Sequence, residues 1–163
     1  MNPKHDTAPA STARRQLLRA AGALPLLGLG TRATACEYII PTLRITHPWT
    51  RATGTDSTHA VLITQFDEVI EDDRLIGIET PVAKSAVLVT PDGVGPLDLR
   101  IPQGSTVALD EQGVHIRLLE LAHPLQIGRS YPLTMIFERG GANLASLNVD
   151  YGPANFSTRF LRR

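Results

Sequence analysis

Few residues in this chain could do chemistry. Cys36 is the only cysteine, so no intrachain disulfide is possible. Its thiol is open to lipid attachment, to metal ligation or to neither. Zinc spacings of the His-x3-His or Cys-x2-Cys kind are absent. There is no glycine-rich phosphate loop and no Gly-x-Ser-x-Gly turn, so nucleotide transfer and α/β-hydrolase chemistry have no foothold. Glu71-Asp72-Asp73 offers hard oxygen ligands, but ahead of an apolar run it reads as a solvated turn. None of this forms a catalytic set, and no enzyme activity is expected.

The compartment in which these residues work is set by residues 11–36. Arg14 and Arg15 are adjacent, Gln16-Leu17-Leu18-Arg19 follows, and an apolar run from Ala20 to Gly30 is broken only by Pro25. Ala33-Thr34-Ala35 then supplies small residues at the −3 and −1 positions of a cleavage site. Basic, apolar, small is the order of an export signal, and the arginine pair resembles the twin-arginine type that exports folded proteins. Glycine and proline inside the run argue against a core helix, and the run is too short to span a bilayer at about 20 residues. Residues 1–35 are therefore expected to be a cleavable twin-arginine-like signal and the product to be periplasmic, with no membrane insertion after cleavage. Ala33, where a lipoprotein signal prefers leucine, argues against a lipid on Cys36. Cleavage after Ala35 leaves 128 of the 163 residues. The signal takes five of the sixteen basic side chains and one of the sixteen acidic ones, so eleven face fifteen in the remainder. That mildly acidic balance gives no electrostatic reason to bind nucleic acid.

Beyond Cys36 the apolar residues recur with period two, the signature of half-buried strands. Tyr131, Leu133, Met135 and Phe137 alternate with Pro132, Thr134 and Ile136. Ala145, Leu147, Val149 and Tyr151 alternate with Ser146, Asn148 and Asp150, and Val114, Ile116 and Leu118 with His115 and Arg117. Shorter runs at Leu43–Thr46, Ala60–Phe66, Arg74–Glu79, Ser85–Val89, Leu97–Ile101 and Ser105–Leu109 fit further strands. Turn residues such as Pro91-Asp92-Gly93, Gln112-Gly113 and Gly140-Gly141 separate them. The pattern predicts an all-β domain, a Greek-key sandwich or barrel, over 36–151. The basic-ended tail 152–163 is expected to fray.

Four segments in order resemble the periplasmic copper chaperone family PCu(A)C. They are His47-Pro48-Trp49-Thr50-Arg51-Ala52-Thr53, Asp73-Arg74-Leu75-Ile76-Gly77 through Ala83, Ile101-Pro102-Gln103-Gly104 through Leu109, and Gly113-Val114-His115-Ile116 through Leu125. The resemblance implies a cupredoxin-like β-sandwich. It also implies Cu(I) binding, with delivery to a copper-receiving protein such as cytochrome oxidase or its assembly factor.

Cu(I) selects thioether, thiolate and imidazole, and the family's ligands are two histidines and methionines. Carried over by position, the second histidine is His115, the methionine two residues on is Arg117, and the first histidine is Val89. The methionine-bearing hairpin is shortened to Thr90–Leu97, without methionine. His115 and Arg117 are expected on one strand face, which sets a fixed cation beside a cationic metal. A surface histidine with no metal role is the alternative reading of His115. Where many relatives open with His-Glu-Phe/Tyr this chain has Cys36-Glu37-Tyr38. A freed amine and thiol at Cys36 could chelate copper or zinc. His47 reads as part of a structural segment with Trp49 as core anchor, His59 as a surface residue, His123 as a turn residue and Met135 as core packing. The expected metal residues are thus His115 and Cys36, in a degenerate copper site. The alternative function is a metal-free periplasmic interaction module on the same scaffold.

Overall fold

The computed structural model describes residues 36–151; the signal assigned to 1–35 and the tail assigned to 152–163 lie outside the described residues. The described chain is all strand: β1 (Glu37–Ile39), β2 (Arg44–Thr50), β3 (His59–Asp67), β4 (Asp73–Glu79), β5 (Ala83–Thr90), β6 (Gly93–Pro96), β7 (Leu99–Ile101), β8 (Val107–Ala108), β9 (His115–Leu121), β10 (Ser130–Phe137) and β11 (Gly141–Val149). The expected alternation produces them. On β10, Leu133, Met135 and Phe137 are buried while Ser130 and Pro132 are exposed, and on β11 the buried set is Ala145, Leu147 and Val149. Met135 is fully buried and Trp49 nearly so.

The strands follow one path, β6-β5-β9-β3-β2-β11-β10-β4-β7, with β1 added on β2 and β8 on β3. Besides its short pairing with β8, strand β3 joins two long ladders. His59–Leu62 pair with β9, whereas Ile63 and Gln65–Asp67 pair with β2. One strand thereby hands the sheet from one layer to the other, and Phe66 meets Phe137 edge-on at 5.9 Å in the core. The pairing of β2 with β11 is parallel and every other named pair is antiparallel, which is the mark of a long crossover rather than of nested hairpins.

Pattern reading missed two strands. β1 is three residues long and shows no alternation, and three of the four residues of β6 are glycine or proline, which strands disfavour. β6 forms because the Thr90–Gly93 turn folds it onto β5, with Gly93 at φ 143°. β2 also runs further than expected, through His47-Pro48 to Thr50. It does so across a bulge between Thr46 and Trp49, where His47 has φ 46°.

Asp73 also departs from expectation, because it is buried at the start of β4 instead of lying in a solvated turn. Its Oδ2 accepts from the Thr42 hydroxyl at 2.7 Å and the Gly140 amide at 3.0 Å. Its Oδ1 accepts from the amides of Arg74 at 2.8 Å and Arg139 at 2.9 Å. One carboxylate thus ties β4 to the β1–β2 turn and to the β10–β11 hairpin. Burial alone would raise its pKa, but the Arg139 amide, the Thr42 hydroxyl and the Arg74 and Gly140 amides outweigh it and hold the group below the usual carboxylate range. Asp67 is held low as well. The Arg44 guanidinium at 2.6 Å outweighs its burial, and the Gln65 amide helps. Gly140 has no room for a side chain: a Cβ would lie 2.8 Å from Thr42 Oγ1 and 2.9 Å from Ile40 Cδ1.

Removal of the carboxylate strands several buried donors, so Asp73→Ala should cost about 3 kcal/mol or more in denaturant unfolding, and Gly140→Ala about 1–3 kcal/mol. Both carboxylates have folded pKa values below their unfolded ones. Their contribution is complete above the unfolded value of about 3.9 and is lost as pH falls through the folded values. Urea midpoints measured from pH 7 downward should therefore drop below about pH 4, and Asp73→Asn should flatten that drop.

Candidate functional site

Strand β9 lies between β5 and β3, and its two faces separate the core from the candidate site. Ile116 and Leu118 point into the core at 0% exposure. His115, Arg117 and Leu119 therefore share the outer face. The loop before β9 is firmly held. Leu109 N donates to Thr64 O at 2.9 Å, Asp110 N to Val114 O at 2.9 Å and Gln112 N to Asp110 Oδ1 at 2.8 Å. Glu111 accepts from Arg51 Nε at 2.5 Å, and the same guanidinium lies 5.7 Å over the Trp49 ring.

His115 is buried, with 7% of its surface exposed, against the reading of it as a surface residue. Its Nδ1 lies 3.1 Å from Gly113 O. A carbonyl only accepts, so Nδ1 carries the hydrogen, and in the neutral ring Nε2 holds the lone pair. Nε2 is buried and has no hydrogen-bond partner among the described residues. A ring oriented by Nδ1–H on a carbonyl, with Nε2 free, is the arrangement of a metal-ligating histidine.

The neighbours of His115 limit what it can do. Val89 is its direct partner across the β5–β9 ladder, and Val94 on β6 is the partner of Val89. Direct antiparallel partners have Cβ atoms about 4.5–5.5 Å apart, so a histidine at 89 could share with His115 Nε2 any ion placed between them. Valine cannot. Arg117 stands two residues along the same face, paired with Val87 and Val61, and its Nε is also buried without a partner. No group of three or more His, Cys, Asp or Glu residues able to hold a metal occurs among the described residues.

Cys36 lies elsewhere. It is exposed ahead of β1, and its carbonyl accepts from His47 N at 2.8 Å. β1 pairs with β2, β2 with β3 and β3 with β9. Three strand pairings thus separate Cys36 from His115 along the sheet, and the two are not adjacent in any ladder. His47 occupies the β2 bulge with its Nδ1 buried and unpartnered. His59 is exposed at the start of β3, and His123 sits in a turn with its ring 5.6 Å from that of Tyr131. Sequence reasoning overlooked Arg51 and Glu111, which clamp the loop feeding His115. Sixty residues separate them, and no local pattern links them.

The fold is that of solved PCuAC domains. The copper-bound PCuAC domain from PmoF2 is 25% identical with TM-score 0.64, covering 70% of this chain and 97% of that one. The apo PCuAC domain from PmoF1 is 22% identical with TM-score 0.65, covering 70% and 98%. CuI-DR1885 from Deinococcus radiodurans is 22% identical with TM-score 0.57, covering 72% and 81%. Among curated sequences, "Putative lipoprotein Lxx21020" of Leifsonia xyli subsp. xyli is 29% identical over 169 residues, covering 88% of this chain and 96% of that protein. Residues 43–149 match the family described as "Putative lipoprotein LpqE-like". The chain belongs to this LpqE-like family, on the PCuAC scaffold that its four segments resemble.

The loop clamp is testable apart from any metal. Glu111→Gln should speed amide hydrogen exchange over residues 110–114, while global stability falls by less than about 1 kcal/mol, as for an exposed ion pair.

Proposed function

We propose that this chain is an exported copper-handling protein in which His115 supplies the one resident ligand of an incomplete Cu(I) site. The observation that carries the reading is the buried, unpartnered Nε2 of His115, oriented through Gly113 O on the ladder that pairs it with Val89. An imidazole nitrogen fits Cu(I), but one imidazole beside the Arg117 cation does not hold it tightly. The remaining soft ligands then come from the donor or the recipient of the ion, which suits transfer better than storage. A cytochrome oxidase or its assembly factor is the kind of recipient this implies, and no reaction is catalysed. The lipoprotein wording shared by the family and the Leifsonia protein favours a lipid on Cys36 over a free thiol, despite Ala33. Its exposed place ahead of β1 suits an anchor between membrane and domain.

Cu(I) competition titration of the exported product against a chromophoric chelator tests the site. Weak binding that His115→Ala abolishes is expected, with Cys36→Ser unchanged. Val89→His combined with Arg117→Met restores two ligand positions and should tighten binding by more than about 100-fold, the equivalent of roughly 3 kcal/mol. Retention of copper by His115→Ala would overturn the assignment. Mass spectrometry of the same product should show Cys36 as the first residue, carrying an acyl mass.

A further inference from the structure

We propose that the outer face of β6-β5-β9-β3 docks a carboxylate-bearing segment of a partner polypeptide, with Arg117 as its anchor. The solvent-facing side of a sandwich sheet is ordinarily polar. Here it presents Val61, Val87, Val89 and Leu119, all half-buried, and Val94 at 60% exposure. None of these five belongs to the core cluster or packs against it. In ladder register they frame one cation: Val61 and Val87 are the direct partners of Arg117, and Pro96 is the next residue in that row.

The cation has no counter-charge of its own. Among the described residues Arg44, Arg51, Arg74, Arg139 and Lys84 each face a carboxylate. Arg100 and Arg129 join no ion pair, but both are exposed and water serves them. Arg117 is half-buried with an orphaned Nε–H, and an unsatisfied buried donor destabilises the free protein. A bound carboxylate relieves it through a charge-assisted bond of matched planar geometry. The neighbouring carboxylate at the end of β9, Glu120, is already engaged by Lys84 at 2.7 Å. An arginine inside an aliphatic surround has the make-up of an interface hot spot. The partner segment therefore carries an Asp or Glu flanked by apolar side chains. This goes beyond the copper reading, because Arg117 needs no metal to act.

The test uses the 15N-labelled exported protein with a copper chelator present. The probes are a blocked Val-Glu-Val-Glu-Val peptide, its Gln counterpart and phosphatidylglycerol vesicles. The Glu peptide should move the Arg117 Nε–H cross-peak and the amides of residues 87–89 and 115–119. It should bind about tenfold more tightly than the Gln peptide. Arg117→Gln should erase that difference with the amide spectrum otherwise native, and His115→Ala should leave it intact, which separates this inference from the copper site. Should Arg117→Gln fail to fold, Arg117→Lys takes its place and must weaken the Glu peptide more than the Gln peptide. Equal binding of the two peptides, shifts that map elsewhere, or vesicles moving the Arg117 peak where the Glu peptide does not would each overturn the proposal.

Discussion

The Asp73 carboxylate is the constraint on which the first layer depends. Four donors from three separate stretches of chain converge on it: Thr42 from the β1–β2 turn, Arg74 beside it, and Arg139 and Gly140 from the β10–β11 hairpin. A buried charge is tolerated only where its hydrogen bonds more than offset the loss of water. Here that balance requires the turn and the hairpin to sit where they do. Gly140 is part of the same constraint, since any side chain would push Thr42 and Ile40 away. With β4 held, β10 has a partner on each edge and the layer continues through β11 to β2.

From β2 the constraint passes to the second layer through β3, which leaves one ladder at Ile63 and enters the other at Leu62. The position of β9 follows, and with it that of His115. Within β9 the pleat divides labour between core and surface. Ile116 and Leu118 fill the interior, and the residues that alternate with them are forced outward. On this scaffold the outward row sets one imidazole beside a valine on the neighbouring strand and an arginine two residues on. The consequence is electrostatic: a fixed positive charge without a counter-ion stands two residues from the imidazole, so the face favours anions.

The period-two rule made the long strands legible, most clearly β3, where every second residue from Ala60 to Phe66 is buried, and β10 and β11, where the buried set alternates through Leu133–Phe137 and Ala145–Val149. It failed for β1 and β6, which owe their pairing to the chain around them and not to their own composition. It also misread Asp73. A carboxylate in an acidic run looks solvated until distant donors are brought to it, and three of its four donors are backbone amides that no side-chain pattern announces. Among the site residues, the shared face of His115 and Arg117 was readable from their spacing. The burial of the imidazole was not, since it depends on what β5 and β3 place beside it.

Residue types and their order by themselves determined that this chain is strand-built, that its segments resemble the PCuAC scaffold, and that it carries one cysteine and two methionines. Those facts rest on local alternation and on which ligand atoms exist at all. Tertiary structure alone decided that Cys36 and His115 lie rows apart, that Val89 faces His115, and that Arg117 stands without a counter-ion in an aliphatic surround. Such relations are set by strand register and by the crossover from one layer to the other. Both are consequences of packing the whole core at once, and no segment carries them on its own.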